Sequence, residues 1–372
     1  IGKPRHSRWR EFWQGSVVDK LIRRSEGINV YVIQSKAEAV LITSDANRRY
    51  FSGFSGSAGC LLCSDKDRLL FTDSRYIEQA KAQAPEFTVI ESGDFAASLP
   101  EFAARYRSAA FEAEALSYAE YEKCARALSA RLIPTEGIDS LRAVKEQAEV
   151  EKIARAAQIT DQALANLLVR LKVGTTEFEA AAELEYQMRL LGADGASFPT
   201  IIASGPNSAL PHAQPGQRRL QTGDLVVIDC GAKWHGYCAD LTRTVLVGQE
   251  PTARQLEVYR LVQAAQRAGL AAVRGGADCR EVDQAARSVI AAAGFGHAFG
   301  HGLGHGVGLE IHEQPRLSPR GEGKLAKGMT VTVEPGVYLP PCGGVRIEDL
   351  VLVEDQGAKL LSGTDRELFC VG

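Results

Sequence analysis

Short apolar runs bounded by turn residues mark the first 140 residues. Val40-Leu41-Ile42-Thr43, Cys60-Leu61-Leu62-Cys63 and Arg68-Leu69-Leu70-Phe71 read as strands, and Ser64-Asp65-Lys66-Asp67 closes the last two into a hairpin. Tyr76 to Ala84 and Ser117 to Ala130 read as helices. The pattern then changes. From Lys145 to Leu171, the residues Ile153, Ala157, Thr160, Leu164, Leu167 and Leu171 recur at helical spacing, which predicts one long helix ended by Gly174. Capping boxes at Thr176-x-x-Glu179, Thr252-x-x-Gln255 and Asp278-x-x-Glu281 open three further helices, the last two ending near Gly275 and Gly294. The change of pattern places a boundary near residue 140. The expected fold class is α/β with α+β character, a smaller N-terminal α/β domain over 1–140 preceding a second domain over 141–372.

The second domain contains a duplication. Leu220-Gln-Thr-Gly-Asp-Leu-Val-Val-Ile-Asp229-Cys-Gly231 parallels Leu325-Ala-Lys-Gly-Met-Thr-Val-Thr-Val-Glu334-Pro-Gly336, an offset of 105 residues from Asp229 to Glu334. Upstream, His212-Ala-Gln-Pro215 parallels His312-Glu-Gln-Pro315 at an offset of 100, which sets Gly205 against His305. Downstream, Tyr237-Cys-Ala-Asp240-Leu241 parallels Val345-Arg-Ile-Glu348-Asp349. Two such halves should pack about a pseudo-twofold axis, sharing one curved sheet with helices outside. In each half two acids lie on facing strands, close enough to share a ligand. The separations Cys238–Asp240 and Arg346–Glu348 are even, so each pair lies on one face of its strand.

Asp229 closes Leu225-Val-Val-Ile228, and Glu334 closes Met329-Thr-Val-Thr-Val333. Four carboxylates at the ends of such buried-looking strands cannot all stay ionised without compensation, and divalent metal binding supplies it. Seven glycines between Gly294 and Gly308 exclude a helix through His297, His301 and His305, at about 1 kcal/mol per glycine. The segment should be extended and pass close to a site. His301 and His305 then face the same way, with His297 outside. Four carboxylates against two divalent cations, completed by one neutral imidazole, describe a dinuclear centre bridged by water or hydroxide. An oxygen-rich set without cysteine favours Mn²⁺, Co²⁺ or Fe²⁺ over a structural zinc. Strand alternation should turn Cys230 away from the metals.

Composition narrows the setting. A formal charge of −3 leaves no footprint for nucleic acid or an anionic membrane, and no apolar run approaches a membrane span. Ile1 to Arg10 does not read as a signal peptide. Eight cysteines over 372 residues fit reduced thiols and a cytoplasmic location, and Cys60-x-x-Cys63, without a second pair, reads as ordinary strand cysteines.

These residues resemble the pita-bread metallopeptidases, and among them the Xaa-Pro aminopeptidases and Xaa-Pro dipeptidases. The motifs are His301-Gly-Leu-Gly-His305-Gly-Val-Gly-Leu-Glu-Ile-His312-Glu313-x-Pro315, Asp229-Cys-Gly-Ala, Ala239-Asp240-Leu-Thr-Arg243-Thr, Val333-Glu334-Pro-Gly-Val-Tyr338 and Val345-Arg346-Ile-Glu348-Asp349. Leu141-Arg-Ala-Val-Lys145 with Glu149 resembles the start of that family's catalytic domain. The resemblance implies a C-terminal pita-bread domain with a curved antiparallel sheet. It also implies metal ligands Asp229, Asp240, His305, Glu334 and Glu348, with Asp240 and Glu348 bridging. Glu334, His212 and His312 become the catalytic candidates, and His301, Arg346 and Tyr338 the substrate-binding ones. Two divalent ions, Mn²⁺ first with Co²⁺, Fe²⁺ or Zn²⁺ as alternatives, would serve cleavage after a first residue followed by proline. The partners implied are short peptides with proline second, and a second copy of the chain in a homodimer or dimer of dimers, with the N-terminal domain serving dimerisation and active-site access. Asn47-Arg48-Arg49-Tyr50-Phe51-Ser52-Gly53-Phe54 and Thr72-Asp73-Ser74-Arg75-Tyr76 are close to the bacterial aminopeptidase pattern, so an Xaa-Pro aminopeptidase is expected, with an Xaa-Pro dipeptidase (prolidase) as the alternative. A non-catalytic relative is disfavoured by the five filled ligand positions. A methionine aminopeptidase is disfavoured by the additional N-terminal domain, and creatine hydrolysis by the intact metal set.

Overall fold

The computed structural model describes residues 37–64 and 67–372, so the readings of Ile1 to Arg10 and of the hairpin tip at Asp65 and Lys66 lie outside the described residues. These residues fall into two compact units divided after Arg142. In the first, strands β1 (Ala39–Ile42), β2 (Cys60–Ser64), β3 (Arg68–Thr72), β4 (Thr88–Glu91), β5 (Ser108–Glu112) and β6 (Arg131–Thr135) form one mixed sheet, ordered β4-β3-β2-β1-β5-β6. Its helices are α1 (Asp45–Ser52), α2 (Ile77–Gln83), α3 (Phe95–Ala103) and α4 (Tyr118–Ala127). The apolar runs give β1, β2 and β3 because the central strands are buried on both faces. They give no warning of β4, β5, β6, α1 or α3. In α1 the buried residues are Asn47, Arg48 and Ser52, which no hydropathy pattern marks as interior. Cys60 and Cys63, an odd number apart, enter the apolar clusters on opposite faces of the sheet, Cys60 beside Leu62 and Phe71, Cys63 beside Leu61 and Leu70. They cannot share a ligand.

The second unit opens with α5 (Gln147–Leu168) and α6 (Glu177–Leu190). The predicted helix is shorter at both ends. Val144 makes a bridge to Met329 and Lys145 N donates to Gly328 O, which holds that stretch extended until Glu146 caps the helix. Gly174 lies beyond the C-terminus and donates its N–H to Leu220 O. The strands that follow are β7 (Gly195–Ala196), β8 (Ile201–Ser204), β9 (Leu225–Cys230), β10 (Ala232–Trp234), β11 (Tyr237–Cys238) and β12 (Leu241–Val247). Helices α7 (Ala253–Ala272) and α8 (Cys279–Ala292) precede β13 (Gly304–Gly306), β14 (Glu313–Leu317), β15 (Thr330–Val333), β16 (Gly336–Leu339), β17 (Gly343–Arg346), β18 (Asp349–Glu354), β19 (Gly357–Leu360) and β20 (Phe369–Val371). The boxes at Thr176 and Thr252 form as expected. Asp278 instead caps α8 through Arg280 N.

The duplication is visible as two antiparallel half-sheets, β8-β9-β12 and β13-β15-β18. They meet where 346–348 runs beside β12: Arg346 N donates to Thr244 Oγ1 at 3.0 Å and Glu348 N to Thr242 O at 3.1 Å. One edge departs from the antiparallel rule, since β20 lies parallel to β12. Register corrects one alignment. Val227 faces Ala203, and Gly306 faces Val331, which sets His305 level with Thr332. With Val227 and Thr332 equivalent, the counterpart of His305 is Ala203 and not Gly205, which opens a 3-10 turn instead. Neither residue could ligate a metal, so the site keeps one central imidazole.

The glycines of β13 are there for close approach. A Cβ on Gly304 would stand 2.0 Å from Thr332 O, and one on Gly306 2.1 Å from Gln314 O. A Cβ on Gly300 would meet nothing within 4 Å among the described residues. Gly304→Ala should therefore cost about 1–3 kcal/mol of unfolding free energy, as overpacking does, while Gly300→Ala stays within about 0.5 kcal/mol. Urea titration of both variants reads the difference, and equal midpoints would contradict it.

Candidate metal centre

Each acid is delivered by a strand end. Asp229 lies in β9 opposite Thr242, Asp240 immediately precedes β12, Glu334 immediately follows β15, and Glu348 immediately precedes β18. His305 is the middle residue of β13. Asp240, His305 and Glu348 are buried and offer ligand atoms that all lie within 4.8 Å of one another. His305 Nε2 is 3.4 Å from Glu334 Oε1 and 3.6 Å from Asp240 Oδ2. Asp229 Oδ2 accepts from Arg346 Nη2 at 2.5 Å, whereas Asp229 Oδ1 is sealed from solvent with no hydrogen-bond partner among the described residues. Cys230 packs away from this cluster, in the apolar core with Ile228 and Leu241.

Burial dominates the electrostatics. It pushes the Asp240 carboxyl well above the usual carboxylate range, reinforced by the charge on Glu348, and does the same to Glu348, reinforced by Glu334. Glu334 is pushed up to about 8 by burial, against the pull of Arg346. Burial lowers His305 to about 3, so its imidazole is neutral. Its Nδ1 lies 3.0 Å from Gly306 O, which can only accept, so Nδ1 carries the hydrogen and Nε2 turns its lone pair to the acids. His305 N donates to Thr332 Oγ1 at 3.0 Å, and Thr332 Oγ1 donates to Glu334 Oε1 at 3.3 Å. Thr242 Oγ1 donates to Glu348 Oε2 at 2.7 Å while accepting from Arg346 Nε at 3.1 Å. A neutral imidazole, mutually repelling carboxyls and an orphaned carboxylate oxygen fit divalent cations.

The remaining candidates form a chain leading outward. Arg346 Nη1 donates to Tyr338 Oη at 2.8 Å, and Tyr338 Oη meets His301 Nε2 at 2.9 Å. His301 Nδ1 is 2.8 Å from Gly302 O, so it is the donor, and Tyr338 gives its hydroxyl hydrogen to Nε2. Burial, reinforced by Arg346, holds His301 down to about 4. His212 and His312 are both exposed. The His312 ring stands edge-on to His305 with centroids 4.4 Å apart, and His212 interacts electrostatically with both His301 and His312. Arg346 also donates to Pro211 O, the residue before His212, at 3.2 Å. His297 is exposed, outside the cluster.

The sequence pattern of metallopeptidase family M24 matches residues 151–355. The chain belongs to metallopeptidase family M24. The creatinase/prolidase N-terminal domain matches residues 24–144. The chain is 38% identical over 349 residues to the Xaa-Pro dipeptidase of Pyrococcus furiosus, covering 93% of this chain and 99% of that one. A solved Xaa-Pro dipeptidase from Bacillus anthracis superposes with a TM-score of 0.87 at 40% identity, covering 90% of this chain and 95% of that one. An X-Pro aminopeptidase from Thermotoga maritima MSB8 gives 0.85 at 40% identity, covering 90% and 98%. The architecture of this M24 peptidase is accordingly an N-terminal α/β domain followed by a pita-bread domain with curved antiparallel sheets. No helix among the described residues is long and apolar enough to cross a membrane.

Thr242 and Thr332 were not anticipated from sequence, although a signal existed: each lies two residues from an acid, Asp240 and Glu334, and so shares its face. Thr242→Val should weaken metal binding by about 10–100-fold, because Glu348 loses its orienting donor. Calorimetric titration of the metal-free protein with Mn²⁺ measures this, and an unchanged affinity would remove Thr242 from the site.

Proposed function

We propose that this M24 peptidase hydrolyses Xaa-Pro dipeptides, using two divalent cations held by Asp229, Asp240, His305, Glu334 and Glu348, with Mn²⁺ first among the metals its oxygen-rich donors suit. The observation that carries the reading is the convergence of Asp240, His305 and Glu348 within 4.8 Å, beside Asp229 and Glu334. Near end-to-end similarity to the Pyrococcus furiosus dipeptidase supports dipeptides over longer peptides. The preference for an aminopeptidase rested on the segment from Asn47, and its residues have structural duties. Asn47 Nδ2 bridges Glu112 Oε1 and Asp139 Oδ1, both at 2.6 Å, and Arg48 donates to the carbonyls of Gly56 and Gly59. A motif that holds its own domain together says little about peptide length. Aminopeptidase activity is the second reading, favoured by the similarity to the Thermotoga protein. A homodimer or dimer of dimers, with the N-terminal domain serving dimerisation and active-site access, belongs to the same proposal.

An Xaa-Pro bond is a tertiary amide without an N–H, so recognition cannot use that donor. When bound, the cations supply Lewis-acid polarisation of the carbonyl and acidify a water towards neutral pKa. Glu334, steadied by Thr332 Oγ1, takes the proton of the attacking water and later delivers it to the proline nitrogen. His212 and His312 donate hydrogen bonds to the charge developing on the carbonyl oxygen or to the product side. Arg346 ties Asp229 to Tyr338 and so sets the orientation of His301 towards substrate.

Paired assays in Mn²⁺ of an Xaa-Pro dipeptide and an Xaa-Pro-Xaa tripeptide should favour the dipeptide at least about tenfold in kcat/KM, a difference of about 1.4 kcal/mol. A tripeptide preference would make the chain an aminopeptidase. His305→Ala should lower metal content and rate together. His212→Ala and His312→Ala should keep their metals while losing about 100–1,000-fold in kcat, the effect of removing one donor to a developing oxyanion. Metal stoichiometry beside turnover separates the two groups, and metal loss in all three would merge them.

A further inference from the structure

Two buried charges near the metal cluster have no part in the chemistry above. Lys145 Nζ and Glu313 Oε2 form an ion pair at 2.9 Å, with only 1% and 3% of their side chains exposed. Lys145 is anchored independently, through Nζ to Ala143 O at 3.2 Å and through its backbone N–H to Gly328 O at 2.8 Å. Glu313 in turn holds the histidine loop. Its Oε1 accepts from Glu310 N at 3.3 Å, and a Cβ on Gly308 would lie 2.4 Å from Oε2, so the loop backbone passes directly over the carboxylate. Glu313 faces Gly306 across the β13–β14 ladder, next to a bulge between His305 and Gly306. The carbonyl of Gly306 receives His305 Nδ1–H, and the residue before Glu313 is His312.

A buried ion pair is weak support for stability, because apolar residues of similar volume hold a core as well. What the pair adds is geometry: one rigid anchor for a glycine-rich loop that carries a functional histidine. The other histidine loop has its own version. Glu177 accepts from Ser204 N and Oγ, from Asn207 Nδ2 and from Gly216 N, so one buried carboxylate spans the loop that carries His212.

We propose that Lys145 and Glu313 are positioning residues that hold the His312 imidazole in place through the loop from Gly306 to Glu313. The proposal rests on the reading of His312 as a hydrogen-bond donor to the reacting peptide. Its test is the double variant Lys145→Met/Glu313→Leu, which removes both charges of the pair, in the Zn²⁺-loaded full chain. With ¹³C-labelled histidine, the ring signals of His312, assigned by their absence in His312→Ala, should shift and broaden. In Mn²⁺, kcat should fall at least about tenfold with KM within about twofold, since misplacement by about 1 Å costs up to about 100-fold. In a His312→Ala background the same double change should cost less than about twofold, because its route of action is gone. Unchanged His312 ring signals, or losses that multiply in that background, would overturn the proposal. If His312→Ala alone leaves turnover intact, the donor reading fails, and the positioning role is decided by the ring signals. Should the double variant not fold, Glu313→Gln, which keeps the shape and removes the charge, is read against the same outcomes.

Discussion

The structure is organised around four carboxyls gathered together, Asp240 and Glu348 buried and Asp229 and Glu334 partly so. Repulsion and desolvation both oppose this gathering, and the fold answers with oriented donors and the buried guanidinium of Arg346. Arg346 contacts Asp229 directly, reaches Glu348 through Thr242 and reaches His301 through Tyr338. In the proposed reading, divalent cations would complete the compensation that Arg346 begins.

The pseudo-twofold explains how a chain arrives at such a cluster, and its breaking explains the chemistry. Duplicated strands deliver two acids each by the same backbone route. The half-sheets then diverge at two level positions: Ala203 and Val227 in the first become His305 and Thr332 in the second. Thr332 supports both the backbone of His305 and the carboxyl of Glu334, so the polar pair arises as a unit. One half is scaffold plus two acids. The other adds the imidazole of His305 and the Thr332 hydroxyl that donates to Glu334.

The five proposed ligand positions are common to the dipeptidase and aminopeptidase readings, and the relatives carry both names. The N-terminal motif that invited the aminopeptidase reading is occupied in folding its own domain, with Asn47 joining Glu112 to Asp139 and Tyr50 Oη donating to Leu141 O at 2.9 Å.

Local chemistry made much of this legible in the sequence. Buried runs ending in Asp229 and Glu334, capping boxes at Thr176 and Thr252, glycines too dense for a helix around His301 and His305, and the odd spacing of Cys60 and Cys63 are all decided within a few residues by backbone period and sterics. α1 was hidden because its buried face is polar, with Asn47 Nδ2 bonded to acids distant in sequence and the Arg48 Nη atoms to loop carbonyls. The partner of Lys145 lies 168 residues away. The duplication was legible in the sequence, and so were Asp240, His305 and Glu348, whose ligand atoms the fold brings within 4.8 Å of one another. Tertiary structure alone decided the register that makes Ala203 the counterpart of His305, the convergence of acceptors on Arg346 and the anchoring of each histidine loop on a buried carboxylate. Strand pairing and burial join residues that no local period relates, and that is the physical reason these features could not be read earlier.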